Sequence, residues 1–194
     1  AKIVIGKDTR KSGDMLEAAL TAGLCSMGAK VIPLGVVPTP AVAYLTRYYK
    51  ADAGVVISAS HNPCEYNGIK FFNSDGYKLS DGIENEIESY ILGEKTIEEL
   101  PTHGKVGYVS ANHNAVEDYV AFAVSTIDCR LDGMKIAVDC ANGASYETAF
   151  KALNKLGANV EAIHNTPDGV NINHMCGSTH MESLRVYMME HNCQ

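Results

Sequence analysis

The chain has 194 residues, of which 46% are hydrophobic and 20% charged, as is ordinary for a globular protein. These proportions exclude a disordered, collagen-like or coiled-coil chain, and the length allows one or two domains. The net charge of −7 argues against non-specific nucleic-acid binding, which needs a basic surface. No apolar run approaches the ~20 residues of a membrane span. No nucleic-acid or membrane partner is therefore expected.

The first half of the chain alternates apolar runs with segments of helical periodicity, as α/β proteins do. Strands are predicted at 2–6, 31–34 and 53–57. Helices are predicted from Ser12 to a stop at Gly28, and from Thr39 as the N-cap to about Lys50. A hairpin is predicted around 73–76, flanked by residues 68–72 and 77–79. A helix capped by Asp81 with Glu84 is then predicted to end near Leu92, followed by a weakly periodic connector at 93–114.

After a helix at 116–127, the second half contains another strand, helix and strand, predicted at 135–138, 146–156 and 159–163. Residues 24–31 and 153–160 share the pattern of a helix end, Gly-Ala and a new strand. This similarity predicts a degenerate internal repeat of one β-α-β unit, although a helix-Gly-strand joint is also common in unrelated folds. A last helix is predicted after Thr179, with Glu182 completing a capping box.

No signal peptide is visible, and the six scattered cysteines include no C-x-x-C pair. A reduced, cytoplasmic compartment is therefore the expectation. A further strand would normally follow the last helix. We therefore expect the chain to be a fragment of a longer protein.

The strongest local signal is Ser58-Ala59-Ser60-His61-Asn62-Pro63, directly after the strand at 53–57. Ligands bind at the carboxyl ends of strands in open α/β sheets, so these polar side chains are candidates for a functional site. An ordinary capped turn would have a similar composition, and the residues alone leave both readings open.

A second candidate is the turn from Gly6 to Gly13, which joins a strand to a helix and carries Lys7, Arg10 and Lys11. Backbone N–H groups at a helix start, together with flanking cations, form an anion site. A merely solvated basic loop is the alternative. The turn is not a P-loop, because the G-x-x-x-x-G-K-[ST] pattern is absent.

The loop at 58–63, followed by Asn67-Gly68-Ile69-Lys70, resembles the phosphoserine loop of the α-D-phosphohexomutase family. The segments 6–13, 38–40 and 139–144 resemble further stretches of that family. The serine at position 58, with Asn171-Ile172-Asn173 and Cys176-Gly177, most resembles its bacterial phosphoglucosamine mutase branch. The resemblance extends along essentially the whole chain.

The resemblance implies a three-layer α/β/α domain with a mixed sheet at 1–110, lacking its N-terminal segment. A connecting helix at 111–130 and the first half of a second, similar domain at 131–194 would follow. It also implies interconversion of glucosamine 6-phosphate and glucosamine 1-phosphate, through a hexosamine 1,6-bisphosphate intermediate, in the supply of UDP-N-acetylglucosamine for cell-wall precursors. The fragment alone is expected to be inactive. A homodimer of the full-length protein is left open.

The resemblance assigns Ser60 as the residue that carries the phosphate, and Ser58 as structural. His61 and Asn62 match residues that shape the phosphoserine site, and Lys70 matches a group proposed for proton transfer. Lys7, Arg10 and Asn62 would contact the substrate or its phosphate, and Ser60, His61 and Lys70 would form the catalytic set.

A divalent cation is expected, because phosphate-monoester reactions need very large accelerations. The family holds Mg²⁺ between the serine phosphate and an aspartate-rich loop. No D-x-D pattern occurs in this sequence, so the only predicted metal contact is Ser60 through its phosphate. The aspartate ligands are expected beyond Gln194. Alternating Glu84, Glu86 and Glu88 would fan around a helix and are interpreted as solvated.

Three other readings stay open. His174, Cys176 and His180 weakly suggest zinc, because their spacing is irregular and no fourth ligand is evident. Within the family, the alternative is a phosphomannomutase or phosphoglucomutase. If the protein is not an enzyme, the alternative is a non-catalytic phosphosugar-binding module.

Overall fold

The computed structural model describes residues 1–97, 99–111 and 114–193. Parts of the predicted connector, at Glu98, Asn112 and His113, lie outside the described residues, as does the terminal Gln194. The described strands are β1 (Lys2–Lys7), β2 (Lys30–Val36), β3 (Ala53–Ile57), β4 (Ile69–Asn73), β5 (Tyr108–Val109), β6 (Lys135–Asp139) and β7 (Asn159–Ile163). The described α-helices are α1 (Ser12–Ser26), α2 (Thr39–Tyr48), α3 (Asp81–Ile91), α4 (Ala115–Ser125), α5 (Tyr146–Lys155) and α6 (Glu182–His191).

The first five strands form one mixed sheet in the order β4-β3-β1-β2-β5. Four strands run parallel, and β4 pairs antiparallel with β3. The central strand β1 carries Val4 and Ile5, both fully buried, because helices cover both faces of the sheet. An uninterrupted apolar run is the pattern expected of such a strand.

Helices pack on the two faces of this sheet and make three layers. On one face, Ile5, Val31 and Val55 pack against Leu16 and other apolar residues of α1. On the other face, the apolar residues of α2 and the start of α4 pack against alternate residues of the same strands. Because successive strand residues point to opposite faces, one apolar strand supplies both cores. The predicted α/β/α class with a mixed sheet is confirmed.

The second half contains a separate parallel pair, β6 and β7, connected through α5. This unit repeats the β1-α1-β2 connection of the first half, as the sequence similarity between residues 24–31 and 153–160 predicts. Helix α6 packs against β6. The division of the chain into domains at residues 110 and 131 stays a prediction.

The structure corrects several local expectations. The predicted connector contains β5, which pairs with β2 at the edge of the first sheet. Neither predicted capping box forms, because no side chain caps α3 or α6 and the residues that precede these helices are Ser80 and Met181. The predicted hairpin is reduced to β4 and a single bridge between Phe72 and Lys78, since β4 pairs mainly with β3.

Candidate active site

The two polar segments singled out in the sequence lie side by side at one edge of the sheet. They follow β1 and β3, which are neighbours in the sheet and run parallel, so their carboxyl ends meet. The backbone N–H of Asp8 donates to the carbonyl of Ile57 at 3.0 Å, which extends the pairing past the strand ends. The parallel register therefore places the turn at 8–11 directly against the loop at 58–63.

Ser60 is exposed at this edge in a left-handed backbone conformation, with φ of 57°. Residues other than glycine rarely adopt this conformation, and such backbone strain tends to concentrate at functional sites. The N–H of Ser60 donates to the Oγ of Ser58 at 3.2 Å. Ser58 is buried and supports the loop through this hydrogen bond, whereas Ser60 is exposed to solvent.

Arg10 holds the Ser60 loop through its backbone carbonyls. Its Nη2 donates to the carbonyl of Asn62 at 2.6 Å and lies 3.4 Å from that of Ser60. Its Nη1 pairs with the carboxylate of Asp8, and the Arg10 side chain is only 2% exposed. The guanidinium therefore contacts the protein itself, and no sequence pattern indicates these partners. Its predicted contact with phosphate stays a prediction.

Lys7 is also engaged by carboxylates. Its Nζ lies 2.6 Å from both Asp14 and Glu17. Burial alone would lower the pKa of Lys7, but hydrogen bonds to these two carboxylates outweigh that effect and raise it above 10.5. The charge of Lys7 is therefore compensated locally, which weakens the interpretation of this turn as a free cationic phosphate site.

The remaining predicted residues are brought to the same edge. His61 and Asn62 are exposed on the Ser60 loop, and the carbonyl of Asn62 is one of the groups that Arg10 holds. Lys70 is exposed on β4, opposite Val56 of β3. Gly68 closes the loop, because Ser58 N–H donates to its carbonyl at 2.8 Å and a Cβ at this position would lie 2.8 Å from the Ser58 oxygen.

We call residues 1–109 the first unit and residues 135–193 the second unit. The second unit forms the opposite wall of the site. Lys11 N–H donates to the carbonyl of Gly169 at 2.9 Å, and Thr9 Oγ1 donates to the carbonyl of Asn142 at 2.5 Å. Between the units lies an open cleft of about 360 Å³, lined by Ser60 and Asp8 on one side and by residues 138–145 and 172–173 on the other. Small-molecule sites have volumes in this range.

Sequence reasoning also missed a contact made by Asn173 at this site. Asn173 donates from its side-chain amide to the carbonyls of Ser60 and Asn62, at 3.0 Å in each case. The Asn171-Ile172-Asn173 motif contributed to the family resemblance, but no local pattern indicates a contact between residues more than 110 positions apart in the sequence.

Within the described residues, one group of potential metal ligands comes together, namely Asp139, His164 and Cys176. The Asp139 carboxylate already accepts hydrogen bonds from the N–H groups of Ala141 and Gly177, both at 2.8 Å, and lies 3.1 Å from His164 Nδ1. Burial raises the pKa of the Cys176 thiol. These groups hold turns together and do not form the oxygen-rich site that Mg²⁺ prefers.

The weakly suggested zinc set does not come together among the residues the structure describes, because Cys176 groups with Asp139 and His164 and not with His174 or His180. The acidic residues of α3 are solvated or paired at the surface, Glu84 with Lys78 and Glu86 with Lys95. Among the described helices, none is long and apolar enough to cross a membrane.

Residues 1–98 match the family model described as phosphoglucomutase/phosphomannomutase, alpha/beta/alpha domain I. A phosphoglucosamine mutase from Clostridium acetobutylicum is 60% identical over 192 residues, and one from Acetivibrio thermocellus is 61% identical over 189 residues. These alignments cover 99% and 97% of the chain, but only 43% and 42% of the relatives.

Similarity to a solved structure extends over the same span. A phosphoglucomutase/phosphomannomutase family protein from Burkholderia thailandensis superposes with a TM-score of 0.82 at 23% identity, covering 100% of this chain and 43% of that one. At this level of identity, the similarity shows a shared fold. The chain thus spans less than half the length of the relatives it matches.

Proposed function

Because the chain belongs to the phosphoglucomutase/phosphomannomutase family, we propose that it forms the nucleophile-bearing part of a phosphosugar mutase. The proposed reaction interconverts glucosamine 6-phosphate and glucosamine 1-phosphate. The names of relatives about 60% identical over nearly the whole chain support this choice of substrate. The product would enter the synthesis of UDP-N-acetylglucosamine for cell-wall precursors, a cytoplasmic pathway.

The observation that carries this proposal is the position of Ser60. Ser60 is exposed in a strained left-handed conformation at the carboxyl edge of the sheet, beside a cleft large enough for a sugar phosphate. Its backbone is held by donors from two sides, whereas no structural partner of its hydroxyl appears among its described hydrogen bonds. Such an arrangement suits a nucleophile that must meet a substrate at a fixed place.

The proposed reaction has two balanced phosphoryl transfers. In the first, the O1 hydroxyl of glucosamine 6-phosphate attacks phosphorus on phospho-Ser60, the bond from phosphorus to Oγ breaks, and the proton lost by the sugar returns to Oγ. The resulting hexosamine 1,6-bisphosphate reorients. The Ser60 hydroxyl then attacks the 6-phosphoryl group, and the departing O6 receives the proton. We assign the proton transfers to Lys70, with His61 and Asn62 shaping the phosphoserine site.

Positioning and charge compensation are the main requirements of phosphoryl transfer. We assign Arg10 chiefly to positioning, since its guanidinium holds the loop carbonyls. Two of the three N–H donors of Lys7 Nζ already point at Asp14 and Glu17, so at most one is free for a phosphate while these pairs hold. The described residues place no cluster of carboxylates around Ser60 that could complete a Mg²⁺ site. In our proposal the phosphate on Ser60 would be one ligand of the ion, and the other ligands would come from outside this chain.

A specific observation favours a second candidate substrate class. The matching family model is named for phosphoglucomutase and phosphomannomutase, so glucose and mannose phosphates are the alternative. The assay must therefore compare the three hexose phosphates on one preparation.

The test is a mutase assay on the whole protein that contains this chain, with glucosamine 6-phosphate and Mg²⁺. We expect Ser60→Ala to reduce turnover by at least about 10³-fold, as loss of a covalent nucleophile does. The matched control is Ser74→Ala, an exposed serine in the turn after β4, and it should leave turnover unchanged. Full activity of Ser60→Ala would refute the proposal, and faster turnover of glucose or mannose phosphate would replace the substrate.

A further inference from the structure

The side-chain amide of Asn173 and the guanidinium of Arg10 converge on the same two carbonyls of the Ser60 loop. Asn173 Nδ2 lies 3.0 Å from the oxygens of both Ser60 and Asn62. Arg10 Nη2 lies 3.4 and 2.6 Å from the same atoms. Arg10 belongs to the first unit and Asn173 to the second, so the loop is held by donors from two separate parts of the fold.

Asn173 is itself well anchored. Its N–H donates to the carbonyl of Ala141 at 2.9 Å, next to the end of β6. The preceding turn is fixed by Asp168, whose Oδ1 accepts from the N–H groups of Val170 and Asn171, both at 2.8 Å. The side-chain amide of Asn173 therefore projects from a backbone that is held in place by hydrogen bonds.

We propose that Asn173 is a positioning residue that fixes the orientation of the Ser60 loop from the second unit. The two carbonyls it contacts flank His61, so the contact constrains the backbone on both sides of that residue. Because the left-handed conformation of Ser60 is intrinsically unfavourable, external hydrogen bonds are needed to keep the loop in this shape. The inference rests on the proposed function, since it concerns the rate at which Ser60 exchanges phosphate.

The test must remove the amide without straining the backbone. Asn173 has a φ of 57°, where alanine would add strain of its own. Asn173→Gly accepts this φ and removes the side chain, whereas Asn173→Asp keeps the shape and replaces the NH₂ donor by an oxygen. Asn154→Asp, at an exposed position near the end of α5, is the control for the same chemical change elsewhere.

In the whole protein, we expect both Asn173 variants to lower kcat about tenfold, with KM changed less than about twofold. A loss of overall stability alone would not lower kcat while leaving KM nearly unchanged. Backbone N–H exchange at His61 and Asn62 should also become faster in both variants, while Asn154→Asp leaves kcat and exchange as in the wild type.

Unchanged exchange at His61 and Asn62 in both variants would overturn the inference, whatever the activity. Faster exchange with unchanged kcat would overturn it as well, because the contact would then have no effect on reaction. A rise in KM with constant kcat would make Asn173 a substrate contact instead. If the wild-type protein has no mutase activity, the proposed function fails, and the exchange rates still decide whether Asn173 holds the loop.

Discussion

The guanidinium of Arg10 both pairs with Asp8 and holds the Ser60 loop. It is almost completely buried, so its charge requires compensation, and Asp8 provides it from two positions earlier. Its remaining donors hold carbonyls of the Ser60 loop, although Nε is buried without a hydrogen-bond partner. The same residue therefore maintains the turn after β1 and fixes the loop after β3.

We expect Arg10→Ala to lower the free energy of unfolding by about 3 kcal/mol, because it leaves Asp8 buried without its cation. Urea denaturation of the chain measures this effect. The control is Lys11→Ala, at the exposed neighbouring position, which should change stability by less than about 0.5 kcal/mol. Equal stabilities of the two variants would contradict the assigned role of Arg10.

The sequence predicted where the polar loop lies but not the contacts that hold it. The polar run at 58–63 after an apolar strand indicated the position of the loop, and Ser60 is indeed exposed there. The contacts of Arg10 and Asn173 were not predictable, because they join residues about 50 and 110 positions apart. The pairing of Lys7 with Asp14 and Glu17 was equally unpredictable, because the turn between β1 and α1 brings the three residues together.

Among the secondary-structure elements, α2 and β3 approach each other unusually closely at Gly54. A Cβ at this position would overlap the Oγ1 of Thr46, which is buried and donates to the carbonyl of Val42 at 2.7 Å. Gly54→Ala is therefore expected to destabilise the chain by about 2 kcal/mol through overpacking. The fixed distance between helix and sheet leaves no room for the added methyl group.

Gly23 offers a matched comparison, because a Cβ there meets no atom within 4 Å and the residue lies inside α1. Gly23→Ala should stabilise by roughly 0.5–1 kcal/mol through a reduced backbone entropy loss. Thermal unfolding of both variants tests the pair. The packing argument would be wrong if Gly54→Ala were as stable as Gly23→Ala.

Helices α4 and α5 are linked by Glu117, which bridges Lys151 and Lys155 at 2.7 and 2.8 Å. Hydrogen bonds from the two lysines lower the pKa of Glu117 from 4.5 to about 2. A carboxylate whose pKa is lower in the folded chain contributes stability above its unfolded pKa. That contribution is lost as the pH falls through the folded value, here between about 4.5 and 2.

An NMR titration of the Glu117 carboxyl carbon measures this value directly. The expected midpoint is about pH 2 in the wild-type chain. It should move toward the ordinary value when both lysines are replaced by methionine, which removes the donors and keeps the length of the side chains. A wild-type midpoint near 4.5 would show that the bridge does not form in solution.

Elements with a strong apolar pattern were predicted well, and short or locally capped ones were not. The strand Ala53–Ile57 and the strand Asn159–Ile163 have the predicted bounds. The two-residue strand β5 has no periodicity of its own and forms because Tyr108 and Val109 lie beside β2. The capping boxes failed because α3 and α6 begin after Ser80 and Met181 without a side-chain cap hydrogen bond, which residue types alone do not reveal.

For the whole molecule, the important feature is that the site lies between two units. Contacts such as Thr9 with Asn142 and Lys11 with Gly169 join the units around the cleft. The chain spans 43% of the length of a relative 60% identical to it. The described residues thus supply an exposed Ser60 on a held loop and two walls of a cleft, but no metal-binding cluster of carboxylates beside it.

We therefore predict that the purified 194-residue chain shows no mutase turnover of glucosamine 6-phosphate. The whole protein, assayed in parallel, provides the positive control. Circular dichroism should show that the shorter chain is folded, so that inactivity reflects missing groups and not unfolding. Measurable turnover by the 194 residues alone would contradict this prediction.

The most direct test of the account is the location of phosphate in the active whole protein. Intact-mass measurement and peptide mapping, after incubation with glucosamine 1,6-bisphosphate, should find one phosphoryl group on Ser60 and none on Ser58. Phosphate at another residue, together with full mutase activity of Ser60→Ala, would contradict the central claim that Ser60 carries the transferred group.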